Sequence, residues 1–169
     1  MATKTKEAEA VNSLVDNGVD VITFIVEGGK TVVESAERRG VFSCGFHVNQ
    51  QSLAPKGYLT GAEWDWAPVY TSFIKDTLAG RPLQNIVRGG LKEGFVKMSP
   101  YGPGASQAAR INADDVKTKM LNGGFSVFNG PLKDNKGKLV VPSDTSYSET
   151  VIELESMDYL VEGVMGSIG

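Results

Sequence analysis

Residues able to do chemistry are sparse in this sequence and concentrate between Phe24 and Lys92. Gly28, Gly29, Lys30 and Thr31 follow an apolar run and precede a helical one, the setting of a phosphate-binding loop. Such a loop needs a further glycine where Phe24 stands, so that backbone N–H groups can wrap the phosphates, and Glu27 would add a carboxylate to the anion nest. The stretch therefore reads as a tight turn, open to a neutral or partly polar ligand at a helix N-terminus. His47 has the chemistry of a general base, with Glu27 or Asp65 as partner carboxylates. No nucleophile motif such as GxSxG accompanies it, and a loop histidine that hydrogen-bonds backbone or ligand is the simpler reading. Trp64 and Trp66 flank Asp65, and in an extended segment their indoles lie on the same side. They are either core packing or a stacking platform for a flat ligand. Lys92 lies in a glycine turn, where a solvated lysine is the simpler reading.

Composition narrows the classes of function. A formal charge of -3 supplies no basic surface for nucleic acid. One cysteine, Cys44, and one histidine exclude a disulfide framework, a thiolate metal site and multi-histidine metal centres, and no cofactor is implied. Cys44 falls inside an apolar strand pattern and reads as a small buried hydrophobe. No apolar run has the length of a membrane span, and MATKTKEAEA lacks the apolar core of a signal peptide. A chain of 169 residues that is 41% hydrophobic suits one domain with a real core.

The elements that must position these residues follow from periodicity. Asp20 to Gln50 reads as strand, glycine turn, helix and strand, one βαβ unit. The apolar β-branched run Asp20 to Val26 predicts a parallel strand covered on both faces. Val32, Val33 and Ala36 share one side of a helix over 31–39 that ends at Gly40, and Val41 to Phe46 forms the next strand. Ligand crevices in open α/β sheets lie beyond the carboxyl ends of the strands, here Glu27 to Lys30 and His47 to Gln51. A helix over 6–17 precedes the unit. Tyr58 to Glu63 alternates as a strand, with Gly61 marking a bulge or close backbone approach. Pro68 opens a helix over 67–79 with a Tyr70, Phe73, Ile74, Leu78 stripe. Further on, 81–104 reads as a crossing or packing segment with a short strand over 95–98 and a two-proline loop over 99–104, and the pattern predicts a helix over 112–122 with Asp114 and Asp115 in its first turn. A hairpin of 125–128 with 138–141 follows, then an amphipathic C-terminal helix through Met157, Leu160, Val161, Val164 and Met165.

Five stretches in register carry a resemblance to a known family. DVITFIVEGGKTVVESAERRGVFSCGFHVNQQSLAPKGYLTG, WDWAPVY, GGLKEGFVKMSPYGP, FNGPLKDNKGKLVVP and SMDYLVEGVMG closely resemble the C-terminal part of the basic membrane protein family, substrate-binding lipoproteins of bacterial ABC importers related to purine nucleoside receptors. The resemblance implies an α/β fold, the parallel-sheet lobe of a type I periplasmic binding protein, incomplete relative to the family and spanning residues 1–169 as one unit. It implies a non-catalytic solute-binding role for a purine nucleoside or base, an ABC permease as partner, and a periplasmic or cell-surface setting.

The same resemblance implies a ligand cleft lined by Phe24, Glu27, Gly29, His47, Asn49, Trp64, Trp66 and Lys92. Gly29 matches a glycine after the family's first strand, and Lys92 matches its Gly-Leu-Lys-Asp/Glu-Gly turn. Trp66 matches a tryptophan before the Gly/Ala-Pro step, whereas Trp64 stands where relatives carry a polar residue or lysine. His47 and Asn49 replace an Asp-x-Asp. Because family members are longer, the resemblance also implies that the chain binds weakly alone, or acts with a missing N-terminal half or as a homo-oligomer.

Overall fold

The computed structural model describes residues 2–148 and 151–168, with side chains from residue 5 onward. Helix α1 (Ala2–Asp16) leads into strand β1 (Val21–Ile22), helix α2 (Gly29–Arg39) and strand β2 (Phe42–His47). A 3-10 turn at Gln51–Leu53 precedes β3 (Tyr58–Trp64), α3 (Ala67–Leu78), β4 (Val96–Met98) and α4 (Gln107–Leu121). The main sheet has the order β1-β2-β3-β4. β1, β2 and β3 are parallel and β4 returns antiparallel on β3, so β1–α2–β2 is the βαβ unit that the sequence predicts.

Helix α2 forms because its apolar residues recur at helical spacing, and it buries Val32, Val33 and Ala36. Val32 and Ala36 meet Val11 of α1 and Ile22 of β1, while Val33 meets Ala54 and Tyr58, with Phe24 packed against both groups. Gly40 ends the helix in the left-handed conformation that glycine adopts without steric cost. Polar contacts hold α1 on α2: Arg39 donates to Asn12 Oδ1 at 2.9 Å and to Asp16 Oδ1 at 2.5 Å.

Tyr58 organises the other side of α2. Register shifts between Ser43 and Cys44, so that Ser43 faces Tyr58 while Cys44 faces Thr60. Leu59 is the extra residue of a bulge, which resets alternation and turns Tyr58 and Gly61 to the same buried face. The fully buried Tyr58 ring then lies over the glycine pair Gly45 and Gly61. A Cβ at either position would meet the phenol oxygen, at 2.4 and 2.6 Å. That hydroxyl donates to Ser99 Oγ at 3.2 Å and accepts from the Gln50 N–H at 3.4 Å. The Ser99–Gly104 loop runs back along β3, with Gly102 N–H donating to Leu59 and Gly104 N–H to the Tyr58 carbonyl, which is the packing role expected of it.

Several expectations are corrected. β1 is a strand only at Val21 and Ile22, and Ile25 is 82% exposed. β1 lies at the sheet edge with β2 as its one neighbour, and without a ladder on its other side the apolar run leaves the sheet. α4 starts five residues early, because the Ser106 side chain caps it by accepting from Ala109 N–H at 3.2 Å. Asp114 and Asp115 are therefore mid-helix, the first accepting from the Tyr101 hydroxyl and the second paired with Lys119. The hairpin re-pairs as β6 (Leu132–Lys133) with β7 (Leu139–Val141), while β5 (Phe128–Asn129) pairs with β8 (Ser146–Tyr147). No C-terminal helix forms over 157–168. Asn135 N–H donates to the Leu160 carbonyl, and Glu162 N–H to Lys133. These bonds make 160–162 a short addition to β6, with Gly163 left-handed just beyond, so strand pairing overrides the helical period.

Tyr58→Phe is expected to cost about 1 kcal/mol through its hydrogen bonds, and Gly45→Ala about 1–3 kcal/mol through overpacking. In urea unfolding, the double variant should lose less than the sum of the two, because removing the hydroxyl relieves the clash. Strict additivity would mean that the ring and Gly45 are not in contact.

Candidate functional site

β2 and β3 end side by side, and their carboxyl ends carry a row of aromatic rings. Phe46 and His47 meet edge-on with centroids 4.1 Å apart, and Trp64 lies 5.9 Å from Phe46 and 6.1 Å from His47. Trp66 follows at 6.0 Å from Trp64, and Tyr70, one turn into α3, at 6.1 Å from Trp66. Trp64 is 41% and Trp66 55% exposed, far more than core indoles. The row is a surface shelf, and neither indole belongs to the core.

The backbone helps to build this shelf. Successive residues in a strand point to opposite faces, so Phe46 and His47 would not touch in regular β2 geometry. His47 has φ +74°, the one positive φ outside glycine among the described residues. Its left-handed backbone breaks the alternation where the two rings meet. Histidine tolerates this region better than bulky or branched residues do. Among the described residues His47 forms no ion pair with a carboxylate.

Beside the shelf a cleft of about 230 Å³ is lined by Trp64, Asp65, Trp66, Arg88 and Phe95 among others. Gly89 lets Phe95 approach, since a Cβ there would come within 2.6 Å of the Phe95 ring. Asp65 accepts from Lys97 Nζ at 3.2 Å and from the Ala67 N–H at 3.2 Å. The Lys97 hydrogen bond, and after it the Ala67 N–H, hold the Asp65 carboxyl below the usual carboxylate range. The Arg88 guanidinium is gripped by Glu155, which accepts from both Nη1 and Nη2, and its hydrogen bonds hold the Glu155 carboxyl down in turn.

The structure thus brings together His47, Trp64 and Trp66 from the expected site and leaves others apart. Phe24 is half-buried and packs into the core. Gly29 is buried, and a Cβ there would meet the Phe24 ring at 2.5 Å and Gln50 Nε2 at 2.9 Å, so its missing side chain makes room for the protein's own packing. Glu27 is exposed in the turn before α2. The anion position at that helix N-terminus is taken internally, because Glu7 of α1 accepts from Gly28 N–H at 3.1 Å. Asn49 accepts from Gln51 N–H at 2.9 Å and borders a different, shallow depression with Tyr101 and Arg110. Lys92 is exposed and lines a separate cleft with Glu93 and Tyr147. Cys44 is half-buried, and burial pushes its thiol up against a partial offset from a backbone hydrogen bond at Thr60. As neighbours of the tryptophans, Arg88, Phe95 and Tyr70 are not singled out by the sequence, which places Tyr70 only in a helix stripe and Phe95 only in a short strand. Tyr70 falls four residues after Trp66, one helical turn on, and Arg88 directly precedes the Gly89–Gly90 pair; these were the signals present.

Residues 2–129 match the Bmp family, described as ABC transporter substrate-binding protein, PnrA-like. The chain belongs to this family. Similar proteins include a purine-binding protein of Brucella abortus, 28% identical over 160 residues that make up 94% of this chain and 44% of that protein. A putative ABC transporter glucose-binding protein of Haloferax volcanii is 24% identical, over 95% of this chain and 38% of that protein. The chain therefore spans less than half the length of these two relatives. Among solved structures, it resembles a transcriptional activator of the comK gene from Bacillus halodurans, with TM-score 0.66 and 20% identity over 74% of this chain and 44% of that one. It likewise resembles an ABC solute-binding protein of Aeropyrum pernix, with TM-score 0.57 and 20% identity over 78% of this chain and 44% of that one. The fold is that of part of an ABC solute-binding protein, an α/β unit with a mostly parallel sheet, as the resemblance implied.

His47→Val should cost about 1–2 kcal/mol in urea unfolding, because a branched residue resists the left-handed backbone, whereas His47→Gly should stay within about 0.5 kcal/mol of the parent. Equal losses would place the cost in the ring contacts instead of the backbone.

Proposed function

We infer that this Bmp-family chain is one α/β unit of a non-catalytic solute receptor for an ABC importer, and that its ligand is a purine-like ring stacked on Trp64 and Trp66. The observation that carries this reading is the exposed aromatic shelf at the carboxyl ends of β2 and β3, the place where open α/β sheets take their ligands. His47 borders the shelf and offers ring nitrogens to a ligand edge. Gly29 and Phe24 pack on one another away from the shelf, while Asn49 and Lys92 line separate depressions. The purine-binding relative supports the choice of ligand; the relative named for glucose supplies the competing ligand for the test.

In this reading the receptor works outside the cytoplasmic membrane and hands its ligand to a permease. Among the described residues no helix is long and apolar enough to cross a membrane.

A second observation bears on assembly. Neither α3 nor α4 buries a residue, and Tyr70, Ile74 and Leu78 form an exposed stripe along α3. Apolar helix faces of this kind are ordinarily covered. Another part of the receptor or a second copy would cover it, and multi-angle light scattering should show a mass that rises with concentration for the 169-residue chain. A constant monomer mass up to high concentration would argue against self-association.

Trp66→Ala is expected to weaken purine binding roughly 5- to 150-fold, the worth of one base-on-aromatic stack, while leaving the far-UV spectrum unchanged, because Trp66 belongs to neither core cluster. Isothermal titration with a purine and with glucose decides between the ligands. Glucose binding without purine binding, or a Trp66→Ala variant with full affinity, would overturn the reading.

A further inference from the structure

The cleft beside the shelf has a polar character that stacking alone does not use. Its volume of about 230 Å³ falls below the roughly 300–1,000 Å³ of ordinary small-molecule pockets, a size for a ring system without its sugar. Two charged groups of opposite hydrogen-bonding type line it together with the indoles. Arg88 is donor-only. Asp65, kept ionised by Lys97, is acceptor-only.

Resting on the purine reading above, we propose that this cleft selects 6-oxopurines over 6-aminopurines, and that Arg88 is the residue that sets the choice. The oxygen at position 6 and N7 form a pair of adjacent acceptors that matches the guanidinium fork. A 6-aminopurine puts a donor beside N7, so donor would face donor on one arm of the fork. A 6-oxopurine also carries an N1–H for the Asp65 carboxylate, where adenine has a bare acceptor. Both groups therefore discriminate in the same direction.

Glu155 is the positioning residue for this reading. It accepts from Nη1 and Nη2 of Arg88, which leaves Nε–H and a second N–H on each terminal nitrogen as donors. The guanidinium is thus immobilised at its end by Glu155 while its side edge keeps a bidentate pair. Asp65 is held in the same way: Lys97 takes Oδ2 and the Ala67 N–H takes Oδ1, and each oxygen retains a lone pair for the ligand.

Equilibrium dialysis of the 169-residue chain with radiolabelled hypoxanthine and adenine tests this, since the two rings differ at position 6 and its neighbouring nitrogen. Hypoxanthine should bind roughly 10- to 100-fold more tightly. Arg88→Gln should lower that ratio both by weakening hypoxanthine and by strengthening adenine, because the amide's donor and acceptor match N7 and the 6-amino group. Arg88→Lys, which keeps the charge but loses the fork, should lower it mainly by weakening hypoxanthine. Unfolding curves matching the parent's establish that both variants are folded. Equal affinity of the parent for the two bases overturns the selectivity and leaves the purine reading standing. A ratio unchanged from the parent's in both variants overturns the role of Arg88, since Asp65 alone accounts only for a residual preference. If neither base binds, the purine reading falls and this proposal with it.

Discussion

Tyr58 is buried under α2 with its ring across the backbones of two neighbouring strands, and that one placement constrains most of the rest. The ring fits only where positions 45 and 61 have no side chain, and those two glycines are register partners. A slip of β2 against β3 would bring Phe46 or Cys44 under the ring. The Leu59 bulge is what turns Tyr58 and Gly61 to one face. The hydroxyl then reaches Ser99, beyond the end of β4, so a single side chain fixes two parallel strands and the loop that follows the antiparallel one.

The aromatic shelf is a downstream effect of that register. With Gly45 opposite Gly61, Phe46 falls opposite Ala62 and His47 opposite Glu63, which leaves Phe46 and Trp64 diagonal to one another on the face away from Tyr58. Ala62 is the small residue between them. Shifting the bulge by one residue would reverse which face of β3 carries the indole. The left-handed His47 completes the row by bringing a ring from the strand's last position onto the Phe46 side. Backbone strain of this kind persists where the surroundings over-determine it, and it clusters at binding sites.

Much of this was legible before any coordinates. The βαβ unit, the helix over Ala67–Leu78, the bulge or close approach marked by Gly61 and a crossing or packing segment ending at Gly104 all follow from local patterns that tertiary contacts reinforce. The misses share one physical cause, which is that a local period does not say what lies next to it. Asp20 to Val26 has the composition of a central strand, yet β1 has a single neighbour and stays short. Met157 to Met165 has a helical period, yet the free edge of β6 takes its backbone instead. Of the residues that residue type singled out, the tryptophans and His47 come together, whereas Gly29 lies apart, its missing side chain making room for Phe24 and Gln50. Sequence could not pair Arg88 with Glu155, 67 positions away.

Exposure of the shelf and exposure of the α3 stripe belong to one argument. Tyr70 is both the last ring of the row and the first residue of the stripe. A surface that covered α3 would therefore begin at the edge of the ligand shelf. A typical small-molecule site buries about 70–90% of its ligand, and an open shelf with a base-sized cleft covers one face of a ring. Whatever closes over the other face would gain contact with the ligand as well as with Tyr70 and Ile74. Ligand and cover would then each raise the affinity of the other by the same factor, since linkage is reciprocal. On the proposed reading, weak binding by the chain alone and tighter binding beneath a cover would express a single coupling energy, and the aromatic row is where that coupling would be carried.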